Sequence, residues 1–107
     1  MLKIDNIIKI QSEYEDLDKY EYYGDISYYK KGTNISHNPY GPAHISTRGY
    51  KAYWIEGKCH RLDGPALILA SGEEKYYING EKLSKKEFEL HPERLKFIGK
   101  EYLTCLK

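Results

Sequence analysis

The sequence predicts a small α+β protein, an antiparallel β-meander of two and a half hairpin repeats with helical caps at the termini. The first observation is the motif His-x-x-x-Gly-Pro-Ala, which begins at His37 and again at His60. The second is a series of aromatic pairs that recur at nearly the same step, at residues 28–29, 53–54 and 76–77. A period of roughly 20 to 50 residues is typical of repeat architectures.

Each repeat has the pattern of a β-hairpin. Runs rich in β-branched and aromatic residues are separated by glycine-containing turns, and Asn79-Gly80 is a strong signal for a type I′ turn because both central residues need positive φ. In Gly-Pro-Ala, we expect glycine to permit the turn, proline to fix φ where a strand begins, and alanine to fit where space is small. The expected strands cover residues 26–30, 43–47, 51–55, 66–70 and 75–78.

The C-terminal flank predicts helices. Ser84 and Glu87 have the spacing of a capping box, in which the two side chains satisfy two free N–H groups at a helix start. Pro92 is expected to end this turn or to open another helix. Beyond Pro92, four apolar residues recur at the spacing of a helix: Leu95, Ile98, Tyr102 and Leu106.

The N-terminal flank predicts a helical cap, with a strand as the alternative. Ser12-x-x-Glu15 offers a second capping box, whereas a strand over residues 2–10 competes with the helix. Helical spacing is shared by Ile7, Ile10, Tyr14 and Leu17. The chain is therefore expected to be one domain, with an acidic N-terminal cap (1–25), the hairpin repeats (26–83) and a C-terminal helical cap (84–107).

Charge is distributed unevenly along the chain. The net charge is only +1, which argues against a protein held to nucleic acid mainly by bulk electrostatics. Residues 1–25 nevertheless carry three lysines against seven acidic residues, a net of −4. The acidic focus, residues 13–21, is the solvated face of a helix, a docking surface for a partner or a partial mimic of nucleic acid phosphates.

Localisation is expected to be cytoplasmic, in the host cell if the protein is phage-encoded. No apolar run approaches the roughly 20 residues of a membrane span, and the first ten residues are too interrupted by charge for a signal peptide. Cys59 and Cys105 lack the spacing of a metal-binding pair, and in a chain without a secretory signal we expect reduced thiols.

Alternation along a strand separates the aromatic pairs into two ladders. One ladder is expected to contain Tyr28, Tyr53 and Tyr76, and the other the residues that follow them, Tyr29, Trp54 and Tyr77. One ladder should be core. The other either receives the terminal helices or forms a binding stripe.

The stretch from Tyr53 to Ala66 resembles a repeat of small proteins from tailed bacteriophages, large DNA viruses and some bacteria, which is loosely similar to membrane-occupation-type (MORN) β-hairpin repeats. An aromatic pair, a Gly-Lys turn and His-Arg-x-Asp-Gly-Pro-Ala carry the resemblance, which extends over residues 28–83. The first unit departs from it, with Asn38 in place of the arginine and Tyr40 in place of the aspartate. The resemblance implies a β-hairpin array of phage or mobile-element origin and no particular activity.

No catalytic residue, metal site or cofactor is predicted. Hydrolase, nucleotide-binding-loop and zinc-protease motifs are absent from the sequence. His37 and His60 would lie roughly 10 Å apart across two strand spacings, too far for one zinc ion bound at about 2.0 Å. We expect each to form a hydrogen bond with the backbone of a turn.

Two binding hypotheses follow, with a small nuclease as a third and weaker one. The first is a non-catalytic phage-type accessory protein that blocks a host protein or ribonucleoprotein, such as a CRISPR–Cas component of host defence. Its predicted contact residues are Glu13, Tyr14, Glu15, Asp16, Tyr20, Tyr29, Trp54 and Tyr77. The second is a sponge for an anionic nucleotide-like molecule, because arginine presents a planar fork to phosphate. Its predicted contact residues are His60, Arg61, Asp63 and Arg48. Open sheet edges also suggest a homo-oligomer.

Overall fold

The computed structural model describes residues 6–105, with the side chains of residues 6–99. Most of this part of the chain is antiparallel β-sheet, and two helices follow at its C-terminal end: α1 (Lys85–Glu89) and α2 (Pro92–Cys105). Neither of these described helices has the length and apolarity to cross a membrane. The strands are β1 (Ile8–Ile10), β2 (Leu17–Tyr22), β3 (Asp25–Lys30), β4 (His44–Ile45), β5 (Lys51–Ala52), β6 (Trp54–Ile55), β7 (Lys58–Cys59), β8 (Leu67–Ile68), β9 (Glu74–Ile78) and β10 (Glu81–Leu83).

Eight strands form one sheet in the order β1-β2-β3-β4-β5-β8-β9-β10, and β6 and β7 pair separately. All neighbours are antiparallel, as predicted. The order departs from a simple meander, because β5 pairs with β8 and the β6–β7 hairpin lies between them in the chain. Strand β2 was not expected. Its six residues pair with β3, from Leu17 opposite Lys30 to Tyr22 opposite Asp25. Strand β2 is therefore the opening strand of the first repeat. The described chain therefore contains three units instead of two and a half.

Three hairpins turn through two residues each. Asn79 and Gly80 have φ of 52° and 82°, as expected for a type I′ turn. The same conformation occurs at Glu56-Gly57 and, between β2 and β3, at Tyr23-Gly24. Tyr23 has φ of 49° although a bulky side chain disfavours this region. The turn type is therefore dictated by the twist of the flanking strands.

The predicted N-terminal helical cap is wrong for the described residues. Residues 8–10 form strand β1, as the strand alternative proposed, and residues 2–5 of that alternative lie outside the described part. The expected capping box does not form, because the Ser12 hydroxyl accepts a hydrogen bond from the Tyr14 N–H at 3.1 Å. Three residues of β1 pair with β2, and this pairing provides backbone hydrogen bonds in the sheet. Tertiary pairing of this kind outweighs the weak helical periodicity of the segment.

The C-terminal helical cap is confirmed in the described part. Ser84 accepts a hydrogen bond from the Glu87 N–H, and Glu87 in turn accepts one from the Ser84 N–H, so the predicted capping box is present. Phe88 of α1 packs with Ile78 and Leu83 in the main apolar cluster. Pro92 opens α2. Leu95 and Ile98 are exposed, and the side chains of Tyr102 and Leu106 lie outside the described residues.

The two Gly-Pro-Ala motifs lead directly into strands β4 and β8. Ala43 and Ala66 are fully buried, as expected for positions with little room. Neither glycine of the motif has positive φ, so the backbone conformation of the bend does not itself require glycine. Gly64 instead leaves space for a side chain: a Cβ there would lie 3.0 Å from the Arg61 guanidinium carbon.

The faces of the sheet follow from strand register, because directly paired residues point to the same side. One face carries Tyr28, Tyr53 and Tyr76, and three different elements cover these rings. The hydroxyl of Tyr28 reaches Glu13 in the segment before β2. The guanidinium carbon of Arg61 lies 4.1 Å from the ring centre of Tyr53. The ring centres of Phe88 and Tyr76 are 4.6 Å apart.

The opposite face, named here the aromatic face, carries Tyr20, Tyr22, Tyr29, His44, Trp54 and Tyr77. The pairs Tyr20–Ser27 and Ser27–His44 place the tyrosines of β2 and β3 on the side of His44. The pairs His44–Ala52, Ala52–Leu67 and Leu67–Lys75 extend this side to Tyr77 on β9. Trp54 lies in the separately paired β6, and its ring meets that of His44. Among the described side chains, Tyr20, Tyr29, His44 and Trp54 contact one another in sequence, and Tyr22 contacts Tyr23 of the β2–β3 turn. The helices and the N-terminal segment therefore cover one ladder, and the ladder of Tyr29, Trp54 and Tyr77 lies on the other side.

Candidate functional site

His37 and His60 each fix a turn of the following repeat. The Nδ1 atom of His60 accepts a hydrogen bond from the Asn79 N–H at 2.9 Å. The Nδ1 atom of His37 accepts one from the Glu56 N–H, also at 2.9 Å and across the same 19 residues. The expected hydrogen bond to turn backbone is therefore present in both repeats. In neutral His60 the remaining proton lies on Nε2, and burial lowers the pKa of this imidazole.

Arg61 is engaged by its own loop. Its Nε donates to Asp63 at 2.8 Å and its Nη1 donates to the Pro65 carbonyl at 3.1 Å. The guanidinium also stacks on Tyr53. In the first repeat, Asn38 performs the same function, since its side-chain amide donates to the Pro42 carbonyl at 3.0 Å. The arginine fork expected to hold an anion is thus largely occupied by internal partners.

A concavity of about 630 Å³ lies between the two motif loops. His60, Arg61 and Asp63 line it, together with Tyr40, Tyr53 and Phe97 of α2. Arg48 does not belong to this set. It lies in the exposed turn between β4 and β5, where its backbone N–H donates to the Ser46 hydroxyl. The structure therefore brings together three of the four residues predicted for anion binding and separates the fourth.

The acidic segment before β2 is a set of internal anchors. Glu13 accepts hydrogen bonds from the Tyr28 hydroxyl at 2.9 and 3.0 Å and pairs with Lys19 at 3.2 Å. Asp16 accepts from the Tyr40 hydroxyl at 3.0 Å, and Tyr14 stacks on the Tyr40 ring at 4.4 Å. This segment is a loop, so the prediction of a solvated helix face is wrong.

Glu15 differs from its neighbours. Its side chain is exposed, and its described hydrogen bond is made by its backbone carbonyl, which accepts from Lys31 Nζ at 3.3 Å. Of the acidic residues predicted to contact a partner, Glu13 and Asp16 are already paired within the protein. Glu15 is the one whose carboxylate points to solvent without a side-chain contact among the described residues.

The aromatic face brings together four of the five predicted aromatic contact residues, whereas the fifth, Tyr14, stacks on Tyr40 at the other side of the sheet. Tyr20 and Tyr29 meet edge to face at 5.6 Å, Tyr29 and His44 at 5.9 Å, and His44 and Trp54 at 6.3 Å. Tyr77 continues the same side of the sheet on β9. All five side chains are half-buried. The rings therefore offer apolar area, but the Nε1 atom of Trp54 is buried without a hydrogen-bond partner among the described residues.

His44 is the residue of this row that the sequence did not reveal. Its Nδ1 lies 2.9 Å from the Ser27 hydroxyl and its Nε2 lies 3.0 Å from the Ser36 hydroxyl. Burial lowers the pKa of His44. The position occupied by His44 holds Leu67 in the next repeat, so the repeat pattern gave no reason to select it. Only the pairing of β3 with β4 places it between Tyr29 and Trp54.

A second concavity, of about 560 Å³, lies at the β1–β3 end of the aromatic face. Tyr20, Tyr22 and Tyr29 line it, and Asp25 stands beside them. Asp25 Oδ1 accepts hydrogen bonds from the Thr47 N–H at 2.9 Å and the Thr47 hydroxyl at 3.3 Å. Tyr22 and Asp25 flank the turn at Tyr23-Gly24. Because this turn was not predicted, neither residue was predicted to line a site.

Cys59 is buried, and burial raises the pKa of its thiol to about 11. The thiol therefore stays protonated near neutral pH, whereas the thiolate is the reactive form. Within residues 6–99, no three side chains of the metal-ligating types are placed to hold one metal ion. No protein family, curated protein or solved structure matches this chain.

Proposed function

We propose that the protein is a non-catalytic, phage-type accessory protein that blocks a host macromolecule, and that the aromatic face is its contact surface. The observation that carries the proposal is the row of Tyr20, Tyr29, His44 and Trp54, which is packed side by side and half-buried on one face of the sheet. Tyrosine and tryptophan dominate the residues that contribute most to protein–protein binding.

The arrangement of the covering elements supports this choice of face. The helices, the motif loops and the acidic segment all pack on the side of Tyr28, Tyr53 and Tyr76. A sheet normally buries an apolar face against a second layer, so the aromatic face has the composition of a surface completed by a partner. The partner class, a host protein or ribonucleoprotein of a defence system such as CRISPR–Cas, is taken from the resemblance of residues 28–83 to phage repeats.

The test is capture of a partner from lysate of a bacterial host, followed by native mass spectrometry. We expect a discrete host protein or ribonucleoprotein to co-purify with the wild-type chain and to be lost from a Tyr29→Ser, Tyr77→Ser variant. Leu90→Ala is the control, because it removes a 63% exposed apolar side chain of the C-terminal flank outside the aromatic face. Equal capture by the double variant and the control, with unchanged melting temperatures, would reject the aromatic face as the contact surface.

Glu15→Lys separates the acidic segment from the aromatic face. This substitution reverses an exposed charge without removing the anchors made by Glu13 and Asp16. If the partner also contacts the segment, Glu15→Lys weakens capture while the melting temperature stays unchanged. A charge reversal at Glu13 or Asp16 would break internal hydrogen bonds and could not make this distinction.

A second candidate function, sequestration of an anionic nucleotide-like molecule, is favoured by the concavity between the motif loops. It combines the Nε2–H of His60 and the guanidinium of Arg61 with the rings of Tyr40, Tyr53 and Phe97. A bound ligand would appear in native mass spectra as a discrete added mass of a few hundred daltons. Asp63→Asn should strengthen such binding, because it removes the negative charge beside Arg61.

A further inference from the structure

The concavity at the β1–β3 end of the aromatic face has aromatic walls and acidic residues at its border. Its walls include Tyr20, Tyr22 and Tyr29, and its acidic lining residues are Glu21 and Asp25. Among the described residues that line it, none is lysine or arginine. In a chain with 17 basic and 16 acidic residues, a lining of this kind favours a cation over an anion.

The tyrosine rings are placed as walls that meet at a corner. Tyr20 and Tyr29 lie on adjacent strands with their planes at 78° and their centres 5.6 Å apart. Tyr22 follows Tyr20 on the same face of β2, two residues along. A cation beside the face of an aromatic ring is attracted by the ring quadrupole, and enclosure by several rings is how proteins recognise organic cations.

Asp25 adds a fixed negative charge to this corner. Its Oδ1 is held by the N–H and the hydroxyl of Thr47. Its Oδ2 accepts no hydrogen bond from the described residues. Ser27 separates Asp25 from Tyr29 along β3, and all three positions share the aromatic face. A carboxylate oriented in this way can accept a charge-assisted hydrogen bond from a group that stacks on the tyrosines.

We propose that this pocket binds a guanidinium group, presented as an arginine side chain by the macromolecular partner. The inference rests on the proposed function and specifies what the partner must place on the aromatic face. Arginine fits better than lysine, because its planar guanidinium stacks on aromatic faces and donates a fork of hydrogen bonds to a carboxylate. The ammonium of lysine is more strongly hydrated and has neither a planar face nor a fixed fork of donors.

The probe is a short peptide of alternating arginine and glycine, titrated into the ¹⁵N-labelled protein at physiological ionic strength. Two matched peptides replace each arginine by citrulline, which is neutral and nearly the same shape, or by lysine. We expect the arginine peptide to shift the amide signals of residues 20–29. Affinity should fall about tenfold or more for citrulline and several-fold for lysine. Equal affinity for arginine and citrulline, or shifts centred elsewhere, overturns the inference.

Substitutions in the pocket give a second readout. Tyr29→Leu keeps apolar volume without a ring and should abolish peptide binding, whereas Tyr29→Phe should retain it. Asp25→Asn keeps an oxygen for Thr47 but removes the charge, and should weaken binding about tenfold. Tyr77→Leu, at the other end of the aromatic face, and Glu73→Gln, in the exposed β8–β9 turn, are the matched controls. Loss of binding in the controls as well as in the pocket variants overturns the proposed site.

The two proposals fail in different ways. If the arginine peptide binds the pocket but the Tyr29→Ser, Tyr77→Ser variant captures its host partner as wild type does, the guanidinium site stands and the proposed function fails. If that variant loses the partner whereas Asp25→Asn does not, and the peptide does not bind, the proposed function stands. The guanidinium site is then rejected.

Discussion

His60 Nδ1 accepts a hydrogen bond from the backbone N–H of Asn79, 19 residues further along the chain, at 2.9 Å. The same bond joins His37 to Glu56 in the preceding unit. In each case the histidine of one repeat holds the first residue of the two-residue turn in the next repeat. The histidine of the motif therefore couples neighbouring units and fixes the turns in register.

The third position of this series shows how the array ends. Leu83 lies 23 residues after His60, and it is buried against Phe88 of α1. Ser84, which takes the place of Arg61, begins the helix as its N-cap. The third loop is thus replaced by a helix that covers the last strands, as a repeat array requires a distinct terminal unit.

Replacing His60 by leucine should lower the free energy of unfolding by about 1 kcal/mol, because the Asn79 N–H loses its acceptor. His60→Asn should lose less, since the asparagine oxygen can approach the position of Nδ1. Urea denaturation measures both. His37→Leu should cost a similar amount, because it removes the equivalent bond to Glu56. An unchanged stability in both leucine variants would contradict the coupling role.

Stability should fall as the pH drops below about 6.5. Burial lowers the pKa of His60 and of His44 below the ordinary value of 6.5, so the unfolded chain binds these protons more readily than the folded one. Their contribution is complete above pH 6.5 and is lost as the pH falls through the lower folded-state values. Melting temperatures across this range test the effect, and His60→Asn should reduce the pH dependence without abolishing it.

A separate acid transition is expected from the carboxylates. The backbone N–H of Ser84 lowers the pKa of Glu87 from its ordinary value of 4.5, and the stabilisation by this group is lost only below that value as the pH falls. A loss of stability confined to pH below 4.5 would show that the two histidines do not contribute.

Arg61→Ala should destabilise the protein by about 1–2 kcal/mol, because it removes the hydrogen bond to Pro65 and the stacking on Tyr53. Arg61→Lys should recover little of this, since lysine has no fork. Asp63→Asn is the matched control. It keeps an oxygen for Arg61 Nε and should cost less than about 0.5 kcal/mol, as exposed ion pairs contribute little. Thermal unfolding of the three variants distinguishes a loop clamp from a side chain that serves only a ligand.

Phe88→Ala should cost about 3–5 kcal/mol, the usual range for deleting a buried aromatic side chain. Phe88 is 3% exposed and contacts Ile78, Leu83 and Tyr76 in the main apolar cluster. Leu90→Ala, on the same C-terminal flank but 63% exposed, is the control and should change stability little. Equal effects of the two substitutions in urea denaturation would show that α1 does not cover the sheet.

Tyr23→Asn should stabilise the protein by about 0.5–1 kcal/mol. Tyr23 has φ of 49° in a two-residue turn, a conformation that asparagine adopts more readily than a bulky residue. The converse substitution, Asn79→Tyr, should destabilise the equivalent turn between β9 and β10. A lower melting temperature for Tyr23→Asn would mean that the contact between the Tyr22 and Tyr23 rings outweighs the backbone preference.

Local chemistry was sufficient to predict several parts of the molecule. The Asn79-Gly80 turn, the capping box of Ser84 and Glu87, and the buried alanines each depend on residues close in sequence. Periodicity was sufficient for the hairpin repeats, because a strand alternates its side chains whatever its neighbours are. The hydrogen bond expected at His60 also followed from its place in a turn.

The partners of residues far apart in sequence were decided only by the tertiary structure. The helical spacing before residue 17 is a weak local preference, and it yields to the pairing of β1 with β2. The acidic residues Glu13 and Asp16 looked free in sequence, but the fold places the hydroxyls of Tyr28 and Tyr40 beside them. The sequence therefore determined the repeat and the turns at Glu56-Gly57 and Asn79-Gly80. The fold alone decided which aromatic ladder is covered, since that depends on which side of the sheet the helices and the N-terminal segment pack.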